Sequence, residues 1–225
     1  MIRTPTLPYA NDALEPSLSQ ASVENHFENH HKRYVTRVNQ LTANTHLASA
    51  RLEEIIQATA RRKTASDLFN NAAQAWNHDF FWRSMKPGGG SAPTGAIRTQ
   101  IDADFRGYDD FVAKFKKAAG SLFGSGWIWL VMDVNKLKIV TTKEAQTPGT
   151  RGLLPIITLD LWEHAYYPDY GPRRLAYVDA YLSSLLNWDF ANENLARAKL
   201  VSVHASSSAT KAAEEVTPAR ETSLG

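Results

Sequence analysis

Residues 86–95 read KPGGGSAPTG, and this stretch constrains the fold more than any other. Four Gly and two Pro in ten residues cannot continue a helix or a strand. The chain is therefore divided into two regions of different texture. Before the break, apolar residues recur at helical spacing. Val23, Phe27, Tyr34, Val38 and Leu41 mark a helix over about 19–47, and Leu68, Phe69, Ala72, Ala75 and Trp76 mark a second over 65–82. Two long helices in sequence predict an antiparallel hairpin. After the break, residues 99–123 are again helical in period. Three runs rich in β-branched and aromatic residues follow, WIWLVMDV, KLKIVTT and LLPIITLD, the first two forming a hairpin around Asn135. Further helices are expected from Trp162 to about Leu200. The expected fold class is α+β: an N-terminal antiparallel helical hairpin over 1–86, then an α/β domain with a three-stranded antiparallel sheet over 96–200. Residues 201–225 are mostly small and polar, carry His204, and are expected to form a disordered tail.

Composition excludes some classes of function. A formal net charge of +2 without a Lys/Arg run gives no electrostatic footprint for nucleic acid. No stretch approaches the roughly 20 apolar residues that span a bilayer. The opening, MIRTPTLPYANDALEP, lacks the apolar core of a secretory signal, so a cytoplasmic protein is expected. There is no Cys, which rules out disulfides and thiolate ligands and leaves the redox compartment open.

Chemistry must then come from His and carboxylates. His26, His30 and Tyr34 lie four apart and share a helix face, whereas His31 points elsewhere. That face is either a ligand-bearing one or a polar stripe on a solvated helix, and spacing alone favours the stripe. His78 lies in FNNAAQAWNHDFFW, with Gln74 one turn earlier on the same face. A His among so many aromatics is expected to be buried and must find a hydrogen-bond partner or a metal. In TLDLWEHAYYPDY, Asp160 closes an apolar strand and His164 follows four residues later. Asp160 is either a metal ligand on a rigid strand end or a cap of the next helix. Three imidazoles and one carboxylate would offset one positive charge of an ion and leave a position open. That set suits redox work better than structural zinc.

With these segments in order, the sequence resembles the iron/manganese superoxide dismutase family over about residues 2–199. LPYANDALEP resembles the family's opening, ENHFENHHKRYVTRVNQL its first helix, FNNAAQAWNHDFFW its second, FGSGWIWLV its first strand and DLWEHAYYPDY its signature. The resemblance implies His26, His78, Asp160 and His164 as ligands of one iron ion per subunit, manganese being the alternative. It implies superoxide as substrate, Tyr34 and His30 at the mouth of the substrate funnel, and Trp76, Trp127, Trp129 and Trp162 as an aromatic shell. It implies a homodimer, with a tetramer also compatible, in which Glu163 meets His164 of the other subunit and Tyr167 meets His30. Gln74 occupies the position from which iron types draw an outer-sphere amide. The loop position used by most manganese types matches Ala145, with Gln146 next to it. Two departures stand out. Glu28-Asn29 replaces the family's usual Gly-Lys before the paired His, and GPRRL retains Arg174, the expected anion-steering residue, with Leu175 in place of Pro. Two rival readings are a non-catalytic scaffold of the same fold and a non-redox metalloenzyme using the same donors.

Overall fold

The computed structural model describes residues 1–62, 64 and 66–215, with side chains described through residue 202. The first helical rod is α1 (Gln20–His26), a π-helical turn (Phe27–His31) and α2 (Lys32–Thr42). Ser19 starts it, its hydroxyl accepting from the Ser22 N–H at 3.2 Å. The connection holds a further helix, α3 (Leu52–Thr59), beyond the two long ones expected. Its eight residues are too few for periodicity to register. It forms because Glu54 accepts from the Arg51 N–H at 2.8 Å and because Ile55 and Ile56 are buried. α4 (Ser66–Arg83) returns against α2 and α3, completing the hairpin. Ala72, Ala73, Ala75, Phe80, Phe81 and Trp82 are all buried. A helix enclosed on several sides keeps only a narrow solvated face, here with Asp67, Asn70 and Arg83 exposed.

α5 (Gly95–Phe105) and α6 (Tyr108–Ser121) are separated by Arg106 and Gly107, both at positive φ. Then come β1 (Gly126–Asp133), β2 (Lys136–Lys143) and β3 (Leu154–Asp160) in an antiparallel sheet of order β2-β1-β3. β1 is central and buried on both faces except at Asp133, which explains why it reads as a continuous apolar run. The sheet is followed by α7 (Tyr167–Tyr170), α8 (Arg174–Ala180), a second π-helical turn (Tyr181–Leu185) and α9 (Trp188–Glu215). The expected tail begins within α9, and residues 216–225 lie outside the described residues.

One core joins the two regions, from Phe27, Phe81 and Trp82 on the helical side to Trp127, Ile157 and Leu159 on the sheet side. The backbone bridges them as well: the Thr158 N–H donates to Ser84 Oγ at 3.1 Å. Residues 86–95 were expected to be a simple break, yet they are pinned. Lys86 N donates to Leu185 O and Gly90 N to Leu186 O, each at 2.8 Å.

The β1–β2 hairpin turns through Val134 and Asn135, and Val134 has φ 56° while 75% exposed. A β-branched residue is strained there and gains little by burial. Val134→Gly is expected to raise the unfolding free energy by about 1 kcal/mol. Chemical denaturation is the check, and a lower midpoint would refute the strain argument.

Candidate metal centre

The site forms where both regions meet. His26 comes from the end of α1, His78 from α4, Asp160 from the end of β3, and His164 from the single turn Glu163–Ala165 that follows. Sheet register sets Asp160 opposite Trp127. Measured from Asp160 Oδ2, the Nε2 atoms lie at 3.3 Å for His26, 3.6 Å for His78 and 3.7 Å for His164. All four atoms lie within 4.8 Å of one another. Each is buried without a hydrogen-bond partner.

The protonation pattern decides what such a cluster can hold. His78 Nδ1 lies 2.7 Å from the Gln74 carbonyl, an acceptor, so Nδ1 carries the proton and Nε2 presents its lone pair to the cluster. Asp160 Oδ1 accepts from the Trp162 N–H at 2.9 Å, leaving Oδ2 free. Burial, reinforced by His30, holds the His26 imidazole down to about 3. Burial likewise lowers His164 to about 3 against the attraction of Asp160, and takes His78 well below its ordinary value. Burial also pushes the Asp160 carboxyl up to about 7, opposed by His164 and the Trp162 N–H. Protons are therefore poorly accepted by the imidazoles, and the carboxylate is costly to ionise without a compensating charge. A cation answers both conditions. Donors about 2.0–2.2 Å from one ion stand roughly 3–4 Å apart, the spacing seen here. The residues fit a metal ion of borderline hardness.

The surroundings follow from local structure. The π-helical turn widens the helical register, so His26 and His31, five apart, are both buried. His31 was expected to point elsewhere. Instead its Nδ1 accepts from Trp82 Nε1 at 3.2 Å, tying the rod to α4. His30 stacks on His164 at 3.8 Å between ring centroids. The Tyr34 ring lies 5.2 Å from His78, and the neighbouring Gln74 amide works against the burial that raises its hydroxyl. Gln74 Oε1 in turn accepts from Trp127 Nε1 at 3.1 Å.

Of the four expected tryptophans, Trp127 and Trp162 touch imidazoles of the cluster, at 5.0 Å from His78 and 5.8 Å from His164 between ring centroids. Trp129 and Trp76 stand further out, Trp129 against Trp127 and Trp76 against Trp129. Trp82 was not singled out from the sequence, yet it packs 4.9 Å from His26. Its run of neighbouring aromatics hid which ring faces inward. Glu163 and Tyr167 line a surface cavity with Arg174 and Leu175, away from the cluster. Arg174 donates to the carbonyls of Leu122 at 2.6 Å and Gly124 at 2.9 Å and to the Tyr166 hydroxyl at 3.2 Å.

Comparison with known proteins decides the family. Residues 2–86 match the alpha-hairpin domain of iron/manganese superoxide dismutases, and residues 93–194 match their C-terminal domain. This chain belongs to the iron/manganese superoxide dismutase family. A superoxide dismutase (Fe) from Synechocystis is 48% identical over 194 residues, covering 86% of this chain and 98% of the relative. One from Legionella pneumophila is 48% identical over 192 residues, covering 85% and 97%. A superoxide dismutase (Mn/Fe) from Rickettsia bellii is 43% identical over 194 residues, covering 86% and 92%. The family's two-part fold, a helical hairpin and an α/β domain, is the architecture found here.

Proposed function

We propose that this dismutase works with iron held by His26 Nε2, His78 Nε2, Asp160 Oδ2 and His164 Nε2, in a helical domain over 1–86 and an α/β domain over 96–200. The reaction turns two superoxide anions and two protons into one dioxygen and one hydrogen peroxide. The observation that carries the ligand assignment is the convergence of four buried, unpartnered lone-pair atoms from three distant segments. Bound there, an iron ion supplies one-electron chemistry, passing between trivalent and divalent states. The chain supplies the rest. Asp160 contributes one negative charge and the imidazoles stay neutral. Trp127 Nε1 holds Gln74 Oε1, which orients the Gln74 amide beside the Tyr34 hydroxyl at the edge of the site. Burial keeps that hydroxyl protonated into the alkaline range, helped by the Asp160 charge and opposed by Gln74 and Arg33. It can therefore relay a proton toward peroxide. His30, Trp127 and Trp162 exclude bulk water around the ligand rings.

Iron is favoured over manganese by where the amide sits. Gln74 is buried on α4, beside the cluster. Gln146 is exposed, and its Oε1 accepts from Arg151 at 2.9 Å. The buried residue of that loop is Ala145, whose carbonyl accepts from Asn77 at 3.4 Å. Nothing at the site favours a scaffold or a non-redox enzyme. A homodimer in the cytoplasm belongs to the same reading. It is supported by Phe123, Tyr167 and Leu175, large apolar side chains exposed at 92%, 45% and 47%.

Reconstitution tests the metal. Apoprotein loaded separately with iron and with manganese is expected to dismute superoxide efficiently with iron and at least about tenfold less with manganese, as an outer-sphere amide tunes the potential. Activity with manganese alone would overturn the iron assignment.

A further inference from the structure

Beside the Tyr34 edge of the site lies a cavity of about 450 Å³, lined by Asn29, His30, Arg33, Tyr34, Arg37 and Asn71 among others. Its two cations are not equivalent. Arg37 is held by Asp67 at 2.7 Å. Arg33 is exposed, and among the described residues it has neither an ion pair nor a hydrogen bond. Its charge nevertheless reaches the site. Burial lowers the His30 imidazole and Arg33 lowers it further, and Arg33 also opposes the burial that raises Tyr34.

Other charges nearby are paired, turned away or, for Lys143, bordered by Glu144 without an ion pair among the described residues. Glu28 is paired with Lys32 at 2.6 Å. Lys143 shares the neighbouring 480 Å³ cavity, which also reaches Tyr34 and Gln74, with Glu144. The expected steering residue, Arg174, spends its donors on two carbonyls and a hydroxyl, and does not line either cavity. A guanidinium carries its charge at any physiological pH, and a cleft focuses the field of an unmatched one.

We propose that Arg33 is the side chain that draws a small anionic substrate to this site. The inference rests on the dismutase reading above. Superoxide dismutases are themselves an established example of electrostatic steering; the new element is its source in this chain. Arg33 lies one helical turn beyond Asn29, where the family's usual Lys is missing, so a cation still faces the funnel from the same rod.

The test compares kcat/KM of metal-loaded wild type, Arg33→Gln, Arg33→Lys and Lys199→Gln across ionic strengths from about 0.01 to about 0.3 M. Lys199 lies on α9, outside both cavities, and controls for net charge. Arg33→Gln is expected to fall about three- to tenfold at low salt and to converge on wild type at high salt. Metal content should be unchanged. Arg33→Lys should restore most of the loss, which a purely structural role would not allow. Lys199→Gln should keep the wild-type salt dependence. If wild type turns over but Arg33→Gln retains its salt slope, or Lys199→Gln loses as much, Arg33 is not the steering residue. If metal-loaded wild type does not turn over superoxide at all, the dismutase reading falls and this inference with it.

Discussion

Asp160→Asn is expected to lose dismutase activity more than about a hundred-fold, because losing even a supporting partner of a ligand costs 10–100-fold. Metal content should fall in parallel. The polypeptide should nonetheless remain folded, and this separates the prediction from ordinary core damage. Asp160 is fully buried among three imidazole nitrogens, and burial pushes its carboxyl up to about 7. In the unfolded chain an Asp releases its proton near 3.9. A folded-state value above the unfolded one stabilises the fold below about pH 3.9, and that contribution is lost as pH rises through about 7. Asn does not titrate. Between about pH 4 and pH 7 the metal-free variant should therefore gain on metal-free wild type by about 1.4 kcal/mol per pH unit. Metal analysis, activity and chemical denaturation of both apoproteins at three pH values provide the check. An active variant with full metal content would remove Asp160 from the ligand set.

Metal removal should also leave an apoprotein that unfolds on mild acidification. Burial holds His26, His31 and His164 down to about 3 and His78 well below its ordinary value, whereas an unfolded His accepts a proton near 6.5. A depressed folded-state value means that stability is full above about pH 6.5 and is lost as pH falls toward 3. Four depressed imidazoles act against one raised carboxyl, so acidification from about pH 6.5 toward 4 should steadily remove stability. Bound metal should delay the transition, since protons must then displace it from the imidazoles. Circular dichroism during acid titration, with and without chelator, measures both curves. Coincident curves, or an apoprotein still folded at pH 3.5, would count against buried neutral imidazoles.

Much of the architecture could be read from the sequence because it rests on periodicity. The two long helices and three strands each carry an uninterrupted apolar pattern, and TLDLWEH marks the strand end that holds Asp160. The four donors were legible as candidates from their local patterns, but their convergence was implied only by the family resemblance. Spacing says nothing about which distant segments meet, and from spacing alone the segment around His26 read better as a solvated stripe. His31 was misjudged because a regular helix was assumed, whereas the π-helical turn carries it inward. α3 was missed because local capping and two buried isoleucines, rather than a long pattern, make it a helix. Arg174 looked like a free cation because sequence does not reveal the carbonyls of Leu122 and Gly124 that engage it.

The stretch that first divided the chain ends up as a seam between its early and late portions. A Cβ on Gly89 would come within 2.3 Å of the Leu185 carbonyl oxygen, and one on Gly90 within 2.1 Å of Ser183 backbone. Neither position tolerates a side chain, because backbone from nearly a hundred positions later in the chain presses against both. During synthesis the hairpin can gather its own helices early. Its exit path stays unfastened until the second π-helical turn has left the ribosome, so closure of this seam waits on chain made nearly a hundred residues later.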